Sequence, residues 1–185
     1  MRRRTQAIAV LVTVVVGGLW LHARARRLEV EHKAGAVATR IAGRDVRVIC
    51  PGPIRRRILY EINDGSVMFD AHGRPANKTK LSAHTCDGLR RVLDRTTSLD
   101  LTCLATDACS PDDEQAAAGL AVLTHESVHL RGVMDESETE CEARKRVATT
   151  ATELGLTRAS AEAVAAWQAT TWAKMLPERY RLCPG

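Results

Sequence analysis

The stretch His125-Glu126-Ser127-Val128-His129 constrains this chain most, because it places the spacing HExxH inside an apolar, alanine-rich run at residues 115–130. A run of this length and composition predicts a buried helix. Residues i and i+4 share one helical face, so both imidazoles can hold one metal ion while Glu126 reaches a water molecule beside it. The spacing therefore predicts two metal ligands and a general base for hydrolysis.

The alternative interpretation is a helix that carries surface histidines and a solvated Glu126. Polar groups buried without partners cost roughly 2–7 kcal/mol each, so two imidazoles and a carboxylate inside an apolar helix need ligands of their own. A shared metal ion would satisfy all three groups at once. We therefore favour the metal site.

A second helix is expected directly after the first. Gly132 is a typical helix C-terminus, and Asp135 followed by Glu138 has the pattern of an N-terminal cap. The helix is predicted at 136–154, with Gly155 ending it. Its apolar stripe consists of Ala143, Val147, Ala151 and Leu154.

This second helix is expected to supply the third ligand. A short turn makes the two helices antiparallel neighbours, which places Glu140 opposite the two histidines and on the apolar stripe. Glu136, one turn earlier, is the second choice. Acidic residues in a first helical turn also simply favour the helix dipole, which explains Glu136 and Glu138 better than it explains Glu140.

The HExxH followed by a glutamate on the next helix resembles the gluzincin branch of the zincin metallopeptidases. The string from His125 to Asp135 is also similar to the metzincin pattern HExxHxxGxxD of snapalysin-type neutral proteases, in which Asp135 would be the third ligand. Metzincins carry a methionine turn beneath the metal, and the only methionine after Asp135 is Met175, in a helical stretch. The gluzincin-like arrangement is therefore preferred.

The resemblance covers only the region from His125 through the second helix. It implies a zinc ion, a peptide or protein substrate, and hydrolysis by an activated water molecule. It also implies a small sheet ahead of the active-site helix, with an edge strand that pairs with the substrate backbone.

The amino terminus is predicted to be a membrane anchor. Arginines at positions 2–4 precede an apolar run at 7–21, and further arginines follow it. A transmembrane helix needs about 20 residues, which 6–22 approach when the flanking arginines extend to the interfaces. We therefore divide the chain into an anchor with basic flanks at 1–27 and one domain at 28–185. A cleaved signal peptide, with Ala23-Arg24-Ala25 near the cut, is the alternative.

The cysteines indicate the compartment. Their even number predicts disulfides and an oxidising environment. The protein is therefore expected in the plasma membrane with a single span and its C-terminal domain outside the cytoplasm, or secreted if the anchor is cleaved. The short loop between Cys103 and Cys109 allows a local bridge, and a bridge at Cys141 would fix the ligand helix. The cysteines are Cys50, Cys86, Cys103, Cys109, Cys141 and Cys183.

The net charge of +5 does not indicate a nucleic-acid partner. Much of it comes from arginines around the anchor and from the cluster at 55–57, and no nucleic-acid-binding motif is present. The expected partners are the lipid bilayer, through residues 6–22, and a peptide or protein substrate.

The remaining segments predict a small sheet and one more long helix. A strand is expected at 45–50, a hairpin at 54–62 and 66–70 around Asn63-Asp64-Gly65, a polar loop at 71–82, a helix at 86–95, and a helix at 158–175 capped by Thr157.

Tyr180 and Arg181 follow Pro177, and either side chain could approach a developing oxyanion, although docking of the tail is the preferred interpretation.

Together these features predict a mainly helical α+β fold. A small antiparallel sheet or hairpin precedes an active-site helix and two further long helices, with an N-terminal transmembrane helix. The expected function is a membrane-anchored, extracytoplasmic zinc metallopeptidase, with His125, His129 and Glu140 as ligands and Glu126 as the catalytic base. The alternative is a non-catalytic, membrane-anchored binding or structural domain stabilised by disulfides.

Overall fold

The computed structural model describes residues 2–52, 64–95, 98–106, 108–181 and 183, with side chains from residue 15 onward. In chain order its regular elements are α1 (Arg2–Ala42), β1 (Arg47–Ile49), β2 (Gly65–Phe69), β3 (Pro75–Leu81), α2 (Ala83–Asp94), α3 (Pro111–Arg131), α4 (Glu136–Arg144), α5 (Val147–Glu153), α6 (Arg158–Trp167) and α7 (Ala173–Met175). A mainly helical α+β fold is confirmed.

Helix α1 runs without a break from the predicted anchor into the domain. Its C-terminal third buries Val30, Ala34, Val37 and Ala38, whose spacing forms one stripe that packs against α3 and β1. This part of α1 therefore belongs to the core of the domain.

The predicted anchor lies in the first part of α1, but its side chains before residue 15 are outside the described residues. From residue 15 the apolar side chains Val15, Val16, Leu19, Trp20 and Leu21 are exposed. Among the described residues, no helix is both apolar enough and long enough to cross a membrane.

The sheet has the order β1-β3-β2, with β1 parallel and β2 antiparallel to the central β3. It is therefore mixed, not antiparallel as predicted. The predicted loop at 71–82 is also wrong, because β3 occupies most of it. The sequence of β3 is polar, and only Thr79 and Leu81 are buried, so it lacked the apolar alternation on which the prediction depended. The first hairpin strand, at 54–62, lies outside the described residues.

Helix α3 is the centre of the domain. Ser110 caps its first turn, and Gly132 ends it with a left-handed φ of 112°, as predicted. Helix α2 crosses it so closely that a Cβ on Gly88 would lie 2.2 Å from the carbonyl oxygen of Gln115. Only glycine permits this approach, which holds α3 between α2 and α1.

The predicted second helix is divided into α4 and α5 by a turn at Lys145 and Arg146. The predicted side-chain cap is present, since Asp135 accepts a hydrogen bond from the amide of Glu138 at 2.9 Å. The apolar stripe continues across the turn, and its four residues are buried: Ala143, Val147, Ala151 and Leu154.

The third long helix begins after Thr157, as predicted, but a π-helical turn at Gln168–Trp172 separates α6 from α7. Such a turn adds one residue and shifts the phase of everything after it. Met175, which follows this turn, is 62% exposed, whereas Gln168 is fully buried.

The cysteines form three disulfides, as predicted. Cys50–Cys86 ties the end of the first strand to α2, Cys103–Cys109 closes a local loop, and Cys141–Cys183 joins α4 to the C-terminal tail. The expected local pair is confirmed, and so is a bridge on the helix that follows the HExxH.

Candidate metal centre

The two helices that carry the predicted site meet at the turn after Gly132. His125 and His129 lie one turn apart on α3, and Glu136 is the first residue of α4. Because Asp135 caps α4 at this point, the carboxylate of Glu136 is directed back toward α3.

Three side-chain atoms converge there. The Nε2 atoms of His125 and His129 are 3.1 Å apart, and the Oε2 atom of Glu136 lies 3.1 Å from the first and 3.2 Å from the second. Among the described residues, this is the group of histidine, cysteine and acidic side chains that could share a metal ion.

The hydrogen bonds on the far side of each ring determine the tautomers. Nδ1 of His129 lies 2.7 Å from the carbonyl oxygen of Val133, which can only accept, so Nδ1 carries the proton. Nδ1 of His125 lies 3.1 Å from Oε2 of Glu140, which accepts in the same way. When the rings are neutral, as metal binding requires, each imidazole presents an Nε2 lone pair to the same point, and Glu136 adds a carboxylate lone pair.

These separations fit one small cation. Two donors bonded to zinc at about 2.0–2.1 Å with tetrahedral angles lie about 3.3 Å apart, close to the observed 3.1–3.2 Å. Two histidines and one carboxylate form a donor set typical of catalytic zinc sites. The residues present thus fit a zinc ion.

The structure brings Glu136, and not the expected Glu140, to the convergence point. Glu140, expected as the third ligand, is 1% exposed and contacts His125 at Nδ1, on the side away from the convergence point. Its Oε1 accepts hydrogen bonds from Arg144 and Gln168, each at 3.2 Å. Glu136, the second choice, reaches both Nε2 atoms. The apolar stripe correctly indicated burial of Glu140, but Arg144 and Gln168 hold its carboxylate behind His125, so it does not reach the convergence point.

Asp135 does not approach the convergence point. It is exposed, and its carboxylate is engaged by Ser137 and by the amide of Glu138. Met175, which the metzincin-like alternative requires beneath the metal, is exposed as well. The Asp135 alternative is therefore wrong for this geometry.

Glu126 lies beside the three converging atoms and is 6% exposed. Its Oε2 accepts a hydrogen bond from the hydroxyl of Thr79 on β3 at 3.4 Å, and the backbone of Gly65 on β2 covers its other side. A Cβ on Gly65 would lie 2.6–2.7 Å from the Glu126 side chain, so a larger residue would displace the carboxylate.

The pKa values show an environment that stabilises positive charge. Burial alone lowers the pKa of His125, but the hydrogen bonds with Glu136 and Glu140 and the charge of Glu126 outweigh it and raise that pKa to about 9. Hydrogen bonds from His125 and His129 hold the pKa of Glu136 well below its usual range. Burial raises the pKa of Glu126. The convergence point therefore favours a cation, and Glu126 is more basic than an exposed carboxylate.

The site opens into a cleft of about 680 Å³. Strand β2 lies along one side, and the C-terminal tail at 176–180 lies along another. The ring of Tyr180 stacks on that of His125, with centroids 6.2 Å apart and planes at 26°. Tyr180 thus reaches the site, whereas Arg181 donates to the carbonyl oxygens of Leu176 and Lys174 and folds the tail.

Several contacts were not expected from the sequence. Thr79 lies in a segment predicted as a loop, and Gly65 was assigned only to a turn. The contacts of Arg144 and Gln168, by contrast, could have been inferred from the sequence. Arg144 lies four residues after Glu140 on one helix, and Gln168 lies four residues after Val164 on an apolar stripe. A polar residue on a buried stripe indicates a buried partner.

Comparison of the chain with protein-family models, with curated proteins and with solved structures finds no match in any of the three.

Proposed function

We propose that this chain is a zinc-dependent metallopeptidase that hydrolyses peptide bonds. The observation that carries the proposal is the convergence of three lone pairs, from His125, His129 and Glu136, at the edge of a cleft that also holds the buried carboxylate of Glu126. A structural zinc site is usually closed by four protein ligands, whereas three ligands beside a cleft leave a position for substrate or water.

The chain's own residues have distinct roles. His125, His129 and Glu136 hold the zinc, while Glu140 and the carbonyl of Val133 orient the two rings through their Nδ1 protons. Bound zinc would supply a Lewis acid that polarises the scissile carbonyl and lowers the pKa of water toward neutrality. Glu126 accepts the proton of the attacking water and passes it to the leaving amine, a role for which its buried position at the cleft suits it.

The sheet and the tail give the cleft its shape for a peptide. Residues of β2 line it from Gly65 to Phe69, so an extended substrate would run beside this strand, as in β-strand addition. Among the apolar lining residues are Val67, Val122 and Trp172, which offer surface for substrate side chains.

The proposal includes the cellular location of the protein. Residues 6–22 would span the plasma membrane once, with the domain outside the cytoplasm. The exposed apolar side chains of α1 from Val15 to Leu21 support it, because the domain does not cover them. Three disulfides support an oxidising compartment.

The direct test is metal content together with turnover. We expect the full chain, purified in detergent without chelators, to contain about one zinc per molecule and to cleave unfolded casein in a chelator-sensitive way. Glu126→Gln should retain the zinc and lose at least about a hundredfold in turnover, because only the proton acceptor changes.

Absence of bound metal would remove the proposal. Bound zinc without any cleavage, at high protein concentration, would instead indicate a non-catalytic, disulfide-stabilised binding or structural domain.

A further inference from the structure

The charges around the cleft are unevenly distributed. Four acidic side chains line it: Asp64, Glu126, Glu136 and Glu140. Arg179, on the tail, is the only lysine or arginine among the described lining residues. Glu136 and Glu140 are engaged by the imidazoles, and Glu140 also by Arg144, so their charges are already compensated within the site.

The side chain of Arg179 contacts a neighbouring aromatic ring but has no acidic partner among the described residues. Its guanidinium carbon lies 5.3 Å from the ring centroid of Tyr180, a cation–π contact that orients the group without using its N–H donors. Within the part of the chain that the structure describes, Arg179 makes no ion pair and no hydrogen bond. The neighbouring Arg181 differs, because it donates to two backbone carbonyls.

Two contacts tie the tail segment that carries Arg179 to the metal centre. Tyr180, which contacts Arg179, stacks on His125. The disulfide Cys141–Cys183 ties the end of the tail to α4, the helix that also carries Glu136. The segment that carries Arg179 is therefore tied to the helix that carries Glu136, and the exposed Arg179 lies at the edge of the cleft.

We propose that Arg179 is a specificity residue that binds a carboxylate of the substrate, so that the cleft selects peptides with a carboxylate close to the scissile bond. The guanidinium fork matches a carboxylate in a planar, bidentate arrangement, and its charge offsets the acidic lining that would repel such a ligand. This inference rests on the proposed peptidase function, because it takes the bound peptide to be a substrate. The binding itself does not require turnover.

The test is equilibrium binding to the full chain carrying Glu126→Gln, used as purified, so that cleavage cannot obscure affinity. The probes are N-acetylated pentapeptides of alanine and valine in which one position is Glu or Gln, each with a free or an amidated C-terminus. We expect carboxylate-bearing probes to bind about tenfold more tightly than their amide counterparts. The Glu/Gln arm and the free/amidated arm distinguish a side-chain carboxylate from a terminal one.

A set of variants distinguishes loss of the positive charge from loss of the fold. Arg179→Gln, added to Glu126→Gln, should abolish the preference without weakening the amide probes, and Arg179→Lys should restore part of it. Arg158→Gln is the matched control, because Arg158 is an exposed arginine that pairs with Glu162 and does not line the cleft. It should leave the preference unchanged.

The outcomes are distinguishable from failure of the proposed function. Equal affinity for carboxylate and amide probes, or a preference that survives Arg179→Gln, overturns the inference even if the wild-type chain is an active peptidase. A preference that depends on Arg179 in a chain that never cleaves peptides supports the inference while the peptidase proposal fails.

Discussion

The two walls of the cleft are built differently. The helix wall, formed by α3 and α4, carries His125, His129 and Glu136, and each imidazole is held by a hydrogen bond on its far nitrogen. The opposite wall, formed by β2, β3 and the tail, meets the site through the backbone of Gly65, the hydroxyl of Thr79 and the ring of Tyr180. The first wall orients the donor atoms through these hydrogen bonds, whereas the second sets the space around them.

This difference between the walls predicts which property a substitution in each of them will change. Changes in the helix wall should alter metal affinity, because they remove a donor or let a ring rotate. Changes in the opposite wall should spare the metal and alter turnover or substrate affinity, because they move Glu126 or the surface on which the substrate lies. The following variants test that separation, beginning with the largest expected effect.

The two glutamates of α4 should differ in metal affinity. Glu136→Gln removes a charged donor, so we expect zinc affinity to fall by more than about a hundredfold, measured by competition with a chromophoric chelator. Glu140→Gln removes only the negative charge behind His125, and we expect a loss of about 10- to 100-fold. The reverse order would mean that Glu140, as the sequence suggested, is the direct ligand.

Gly65 should control Glu126 without touching the metal. Gly65→Ala places a Cβ 2.6–2.7 Å from the Glu126 side chain, so the carboxylate must move and turnover should fall about a hundredfold while zinc content stays constant. Gly35→Ala is the control, since a Cβ there would meet backbone atoms at an ordinary 3.8–3.9 Å. Equal activity of the two variants would contradict the packing of β2 against Glu126.

The disulfide of the tail should have the smallest effect. Replacing Cys141 and Cys183 by serine frees the tail, so we expect KM for peptides to rise about fivefold through lost preorganisation, with zinc content unchanged. The pair Cys103 and Cys109, which closes a loop that does not line the cleft, is the control for loss of a bridge. Circular dichroism of both double variants checks that they are folded. An unchanged KM in the tail variant would remove the tail from the substrate-binding wall.

The helical part of the molecule could be predicted well, because its signals are local. The cap Asp135 and the stops Gly132 and Gly155 act within one turn of the helices that they delimit. The break between α4 and α5 was not visible, since the apolar stripe continues through it. The π-helical turn at Gln168 was likewise hidden, because a single inserted residue leaves the composition of the helix unchanged.

The sheet was predicted less well. The central strand β3 is polar on most of its length, and its stability comes from pairing with β1 on one side and β2 on the other. Such pairings join residues far apart in the chain, which no local pattern records.

The sequence by itself determined that two imidazoles share one face of a buried helix with a carboxylate next to them in the chain, because the helical period fixes residues i and i+4 whatever surrounds them. It also determined that acidic side chains on the next helix lie within reach. Only the tertiary structure decided which glutamate reaches the two Nε2 atoms, because that depends on where α4 begins and on the buried partners Arg144 and Gln168 that hold Glu140 behind His125. Tertiary structure alone likewise brought Gly65, Thr79 and Tyr180 to the site, since the packing of distant segments positions them.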